Sequence, residues 1–124
     1  MSEDLKCKDK VKSAYRQKIK DLKKLYKLWS KDTELSHPDL GCLNEYGLSF
    51  DYVDNSEDGG QSYFRYQISY GGPSEEFRIY VDVGLNIYKV EFWYLDWFDG
   101  AKRKVSSDSA IYRYAEFMAE GYAV

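Results

Sequence analysis

Between residues 48 and 97 the chain alternates apolar and polar side chains in four successive runs, with glycine-bearing turns between them. Leu48, Phe50 and Tyr52 mark the first run. Phe64, Tyr66, Ile68 and Tyr70 alternate with Arg65, Gln67 and Ser69 in the second, and Phe77, Ile79, Val81 and Val83 with Arg78, Tyr80 and Asp82 in the third. The fourth, from Ile87 to about Trp97, is apolar on both sides: Tyr88, Val90, Phe92 and Tyr94 on one, Trp93, Leu95 and Trp97 on the other. A period of two rich in β-branched and aromatic residues is the signature of strands. The connections at 54–60, 71–74 and 84–86 are too short for a crossover helix, so consecutive strands are expected to pair antiparallel in a four-stranded meander. The two-sided fourth run predicts a central strand covered on both faces, or one that turns a face to a partner. Asp99-Gly100 is expected to end it in a turn, with Trp97 filling the core.

Helical patterns flank this sheet. From about residue 9 to 31, Tyr15, Ile19, Leu22, Tyr26 and Trp29 recur at spacings of four and three, with Val11, Leu25 and Leu28 widening the stripe and no Gly or Pro interrupting it. Residues 32–45 read as a linker, where Pro38 biases His37 away from helix and Gly41 offers a turn. A second helix is expected over about 108–120, capped by Ser107 or Asp108, striped by Ile111, Tyr114, Ala115 and Met118, and ended by Gly121. The fold class is therefore α+β: one domain over residues 1–124, with a four-stranded antiparallel sheet over about 46–98 and helices at both termini. The composition, 44% hydrophobic and 31% charged, suits a folded chain, and no apolar run reaches the length of a membrane span.

Charge is unevenly spread. Residues 1–31 hold eleven Lys and Arg against four Asp and Glu, a balance of +7, while residues 32–124 hold seven against seventeen, a balance of −10. Two surfaces of opposite sign follow. Lys20, Lys23, Lys24, Lys27 and Lys31 make the first helix a candidate for contact with phosphates, although its aromatics are expected to be buried along the stripe. The acidic remainder, with Asp54, Glu57, Asp58, Glu75 and Glu76 at turns and strand ends, could instead imitate a row of phosphates, with Tyr and Trp as anchors.

Catalytic signatures are weak. Glu75-Glu76 and the pair Asp96 and Asp99 could supply acid–base carboxylates, but no substrate-orienting set accompanies them. His37, Asp39, Cys42 and Glu45 do not compose a usual metal set, even with Cys7. Cys42 lacks a nucleophile motif, and Gly71-Gly72-Pro73-Ser74 reads as a hairpin turn followed by glutamates rather than a phosphate loop. No catalytic residue, cofactor or metal is expected. The two cysteines read as free thiols, and the start Met1-Ser2-Glu3-Asp4 followed by lysines has no signal-peptide core, so a reducing, cytoplasmic setting is expected.

Two segments, Gly71-Gly72-Pro73-Ser74-Glu75-Glu76-Phe77-Arg78 and Tyr94-Leu95-Asp96-Trp97-Phe98-Asp99-Gly100-Ala101, carry a resemblance over roughly residues 44–104 to small uncharacterised proteins borne by phages, plasmids and integrated elements. In general type, as one acidic domain without catalytic apparatus, the chain also resembles small anti-CRISPR proteins. The resemblance implies a mobile-element protein in a bacterial host that inhibits a defence complex, and it assigns no residue a role. Joined to the acidic surface, it gives the leading expectation: a non-enzymatic inhibitor that binds a host defence effector through Asp54, Glu57, Asp58, Glu75 and Glu76 and blocks a basic nucleic-acid site. The alternative is a nucleic-acid-binding regulator using Lys20, Lys23, Lys24, Lys27 and Lys31. A homodimer burying the surplus apolar surface is a further expectation, and no membrane partner is foreseen.

Overall fold

The computed structural model describes residues 7–123 apart from 56, 58, 72, 83, 97 and 98, and the side chains of 7, 8, 122 and 123 are left aside. Helix α1 (Cys7–Lys31) leads into a ribbon of two short strands, β1 (Ser36–His37) and β2 (Gly41–Cys42), and a single helical turn, α2 (Leu43–Tyr46). Five strands follow: β3 (Ser49–Val53), β4 (Tyr63–Ser69), β5 (Ser74–Val81), β6 (Ile87–Asp96) and β7 (Asp99–Lys104). They pair antiparallel in chain order, and helix α3 (Ala110–Ala123) closes the chain.

The α+β class and the two flanking helices are as expected, but the sheet has five strands rather than four, beside the two-stranded ribbon. The additional strand is β7, and it overturns the reading of Asp99-Gly100 as a turn: the register sets Asp99 opposite Asp96 and Gly100 opposite Leu95. Its sequence, Asp-Gly-Ala-Lys-Arg-Lys, lacks apolar alternation because the strand forms the sheet edge, where basic side chains also discourage pairing with another chain. The expected core role of Trp97 lies outside the described residues. Within residues 32–45, Asp39 N–H donates to His37 Nδ1 at 3.1 Å inside the ribbon. The cap of α3 is Ser109, whose hydroxyl accepts from Tyr112 N–H, rather than Ser107 or Asp108, and Gly121 sits inside the helix instead of ending it.

Register explains the layers. Phe50, Tyr66, Phe77 and Phe92 stand opposite one another across β3 to β6, and Arg103 of β7 completes the row. This aromatic side receives both helices: Tyr15 of α1 packs on Phe92, and Tyr114 of α3 on Tyr66. Val11, Leu22 and Leu25 form the buried seam of α1, and Ile111, Tyr114, Ala115 and Ala119 that of α3. Each large apolar side chain so removed from water contributes about 1.5–3 kcal/mol. Helix α2 is tied down by polar contacts. Asp21, buried on α1, accepts from Gln17 Nε2 and Tyr46 Oη, each at 2.9 Å, and Tyr114 Oη donates to Asn44 at 2.9 Å.

Gly47 shows how tightly this layer closes. A Cβ there would lie 2.2 Å from Tyr66 Cε1, and the ring is held between Phe50, Phe77 and Tyr114. Gly47→Ala is therefore expected to destabilise the fold by about 2 kcal/mol, the usual scale of overpacking. Urea denaturation checks this, and an unchanged midpoint would show that the ring can move aside.

Candidate functional site

The acidic candidates do not form one patch. Asp54 and Glu57 lie in the connection before β4, exposed, with Ser62 Oγ donating to Asp54 at 3.2 Å, and Asp58 falls outside the described residues. Glu75 pairs in register with Ser69 at the far end of β4, about 20 Å away along a seven-residue strand. Glu75 and Glu76 then turn to opposite sides of the sheet. Glu75 meets Lys18 of α1 at 3.4 Å and accepts from Ser69 Oγ at 2.9 Å, while Glu76, 4% exposed, is bound by Arg78 Nε at 2.7 Å. Opposed in this way, they cannot work on one substrate as an acid–base pair. Asp96 pairs with Lys10 at 3.6 Å, and among the described residues no three His, Cys, Asp or Glu side chains converge as a metal site would require.

The sheet side away from the helices carries a row of charges instead of aromatics: Asp51, Arg65, Arg78, Glu91 and Lys104 stand opposite one another across five strands. Arg78 lies over the rings of Trp93 and Tyr63, 3.9 and 5.1 Å from their centroids. Glu91, 7% exposed, accepts from Tyr80 Oη at 2.8 Å and Trp93 Nε1 at 3.1 Å and faces Lys102 at 3.4 Å and Lys89 at 4.0 Å. These contacts satisfy Glu76 and Glu91, which lets both carboxylates sit nearly buried with no helix above them, whereas Arg65 Nε in the same row is buried without a hydrogen-bond partner among the described residues.

Burial alone would raise the Glu91 pKa. The Tyr80 and Trp93 donors and the two lysines outweigh it, and the carboxyl is held below the usual glutamate range. Burial and the Glu91 contact push the Tyr80 phenol up to about 12. A depressed carboxyl pKa stabilises the fold above the unfolded-chain value near 4.3 and loses that contribution as pH falls through the folded value. Glu91→Gln is expected to cost about 2 kcal/mol at pH 7 and markedly less at pH 3. Urea melts at both pH values check this, and a gap that stays constant with pH would contradict it.

The basic candidates behave differently. On α1, Lys10 and Lys18 turn inward to Asp96 and Glu75, whereas Lys20, Lys23, Lys24, Lys27 and Lys31 are exposed and make no ion pair among the described residues. The buried seam is rotated from the stripe expected in the sequence: Tyr15, Ile19 and Tyr26 sit roughly 60° round from Val11, Leu22 and Leu25, and are only half-buried. Those three side chains instead line grooves. One, of about 570 Å³, runs between α1 and the start of α3 and is lined by Lys23, Lys27 and Arg113 over Tyr15, Ile19 and Tyr26. A second, of about 550 Å³, holds Lys89, Arg103 and Lys104 beside Tyr88 and Tyr112. A third, of about 510 Å³, lies along α1 by Arg16, Lys20 and Lys23. Tyr15 borders all three, with Arg103 over its ring at 5.5 Å.

Eight cations thus line the three grooves against one acid, Asp108, which is hydrogen-bonded to the hydroxyl of Ser106. Lys24 and Lys31 lie outside them. Arg103, Lys104, Arg113 and Tyr88 join from elements distant in the chain, and only the triplet Lys102-Arg103-Lys104 signals this in the sequence. The opposite sign is segregated as well: residues 32–64 contain eight Asp and Glu and no Lys or Arg. Among the described residues, no helix is long and apolar enough to cross a membrane. Comparison with protein-family models, curated proteins and solved structures finds no match to this chain.

Proposed function

We propose that this protein is a non-catalytic nucleic-acid binder that takes a phosphate backbone along the surface shared by α1, β7 and the start of α3. The observation that carries this is the eight-to-one excess of cations over acids around three grooves that meet at Tyr15. Apart from Lys89, which meets Glu91 at 4.0 Å, these cations make no ion pair among the described residues and remain available to displace the counterions of a polyanion, the main source of backbone affinity. Lysine outnumbers arginine on the exposed side of α1, which suits backbone contact more than reading of base edges.

A second reading, a mobile-element inhibitor that binds a host defence effector at its basic nucleic-acid site, is favoured by the cation-free stretch 32–64. Its contact surface would centre on the exposed Asp51, Asp54 and Glu57 near the β3 edge, where Asp51 also meets Arg65 at 3.6 Å, rather than on Glu75 and Glu76, whose side chains are largely buried. Gel shifts on DNA and RNA, run beside capture from a bacterial host expressing its defence systems, separate the two. Retardation that falls with salt and disappears when Lys20, Lys23, Lys24, Lys27 and Lys31 become glutamine supports nucleic-acid binding. Absence of retardation, with capture of an effector that then fails to bind its nucleic acid, supports the inhibitor, and weakening by Asp54→Asn with Glu57→Gln would place the contact.

A further inference from the structure

Resting on nucleic-acid binding at the α1–β7–α3 surface, we propose that its ligand is a single-stranded polynucleotide and that Tyr88 is the side chain on which a base stacks. Tyr88 is 51% exposed beside Arg103 and Lys104. Its position comes from a break in the sheet: Lys89 stands opposite Tyr80 and Ile87 opposite Val81, so Tyr88 is the extra residue of a β-bulge with no register partner on β5. A bulge re-aims a side chain that regular alternation would pack, and here it leaves an aromatic ring at the mouth of a cationic groove. Tyr112 Oη donates to Ile87 O at 3.4 Å, tying α3 to the residue just before the bulge.

The shape of the surface selects the strand. The cations line concave grooves, which a flexible backbone can follow, whereas a duplex keeps its bases stacked inside and offers no ring to Tyr88. Duplex reading by α1 is poorly equipped: Gln17, the side chain suited to adenine, is engaged by Asp21 at 2.9 Å, and lysines dominate the exposed side. Arg103 and Lys104 beside Tyr88 would hold phosphates next to the stacked base, and Lys23, Lys27 and Arg113 across Tyr15 would take phosphates farther along the strand.

The test is fluorescence anisotropy with labelled 20-nucleotide oligo-dT, oligo-U and a 20-base-pair duplex at low salt. At least one single strand is expected to bind about ten-fold tighter than the duplex. Tyr88→Ala is expected to weaken single-strand binding about ten-fold, the scale of one lost stacking contact, with duplex binding and thermal midpoint unchanged. Tyr88→Trp is expected to retain it. Duplex binding as tight as single-strand binding, or Tyr88→Ala acting on both forms equally or on neither, would overturn the proposal while leaving backbone binding in place. Failure of the whole surface reads out separately, as five-lysine glutamine protein that binds every oligonucleotide undiminished, or as native protein that binds none.

Discussion

Replacing Lys20, Lys23, Lys24, Lys27 and Lys31 together by glutamine is expected to lower affinity for a 20-nucleotide single strand about 100-fold near 100 mM salt. Each phosphate contact removed takes about 0.7 unit from the logarithmic salt slope for a single strand, so the loss grows as salt falls. The five positions are not equivalent. Lys20, Lys23 and Lys27 line grooves, while Lys24 and Lys31 project elsewhere on α1. The first three alone should carry most of the loss, and the remaining pair should change affinity by less than about three-fold. Stability should stay within about 0.5 kcal/mol of native, because all five are exposed and make no ion pair among the described residues. Anisotropy titrations beside urea melts check each part, and equal losses from the trio and the pair would point to diffuse charge attraction in place of a defined surface.

Arg78→Ala is expected to cost about 3 kcal/mol. The guanidinium is held between Trp93 and Tyr63 and neutralises Glu76, which is 4% exposed and would be left buried without its partner. Much of that cost is the stranded carboxylate, so the double variant Arg78→Ala with Glu76→Gln should be more stable than Arg78→Ala alone by at least about 1 kcal/mol. Denaturation of the four proteins of this cycle decides it. Strict additivity would show that Glu76 regains water once Arg78 is gone.

Strands with one side on the core were plain in the sequence, since Phe64, Tyr66, Phe77, Ile79, Val90 and Phe92 hold the alternation that burial demands. The fifth strand was hidden for the same reason reversed: at the sheet edge, Lys102, Arg103 and Lys104 answer to solvent rather than to a core. The fourth run, β6, is an interior strand as expected, but among the described residues the helices cover one side of it. Val90, Phe92 and Tyr94 face the helices, while Trp93 serves the charged layer as a ring under Arg78 and a donor to Glu91.

For α1, the apolar arc of Val11, Tyr15, Ile19, Leu22, Leu25, Tyr26 and Trp29 is wider than the sheet can cover. Periodicity located the arc but could not say which margin is buried and which lines a groove. The separation of Glu75 from Glu76 was implicit in strand alternation. The grooves were not legible, because β7 and α3 reach α1 only through tertiary packing.

Binding of a nucleic-acid backbone at the α1–β7–α3 surface reads out in the salt dependence of affinity for a single-stranded oligonucleotide between 50 and 200 mM. With about five phosphate contacts, log affinity should fall linearly with log salt at a slope of about −3 to −4, and the five-lysine glutamine protein, which keeps Arg103, Lys104 and Arg113, should show a shallower slope of about −2. No binding at 50 mM salt, an affinity indifferent to salt, or an unchanged slope in the glutamine variant would contradict it.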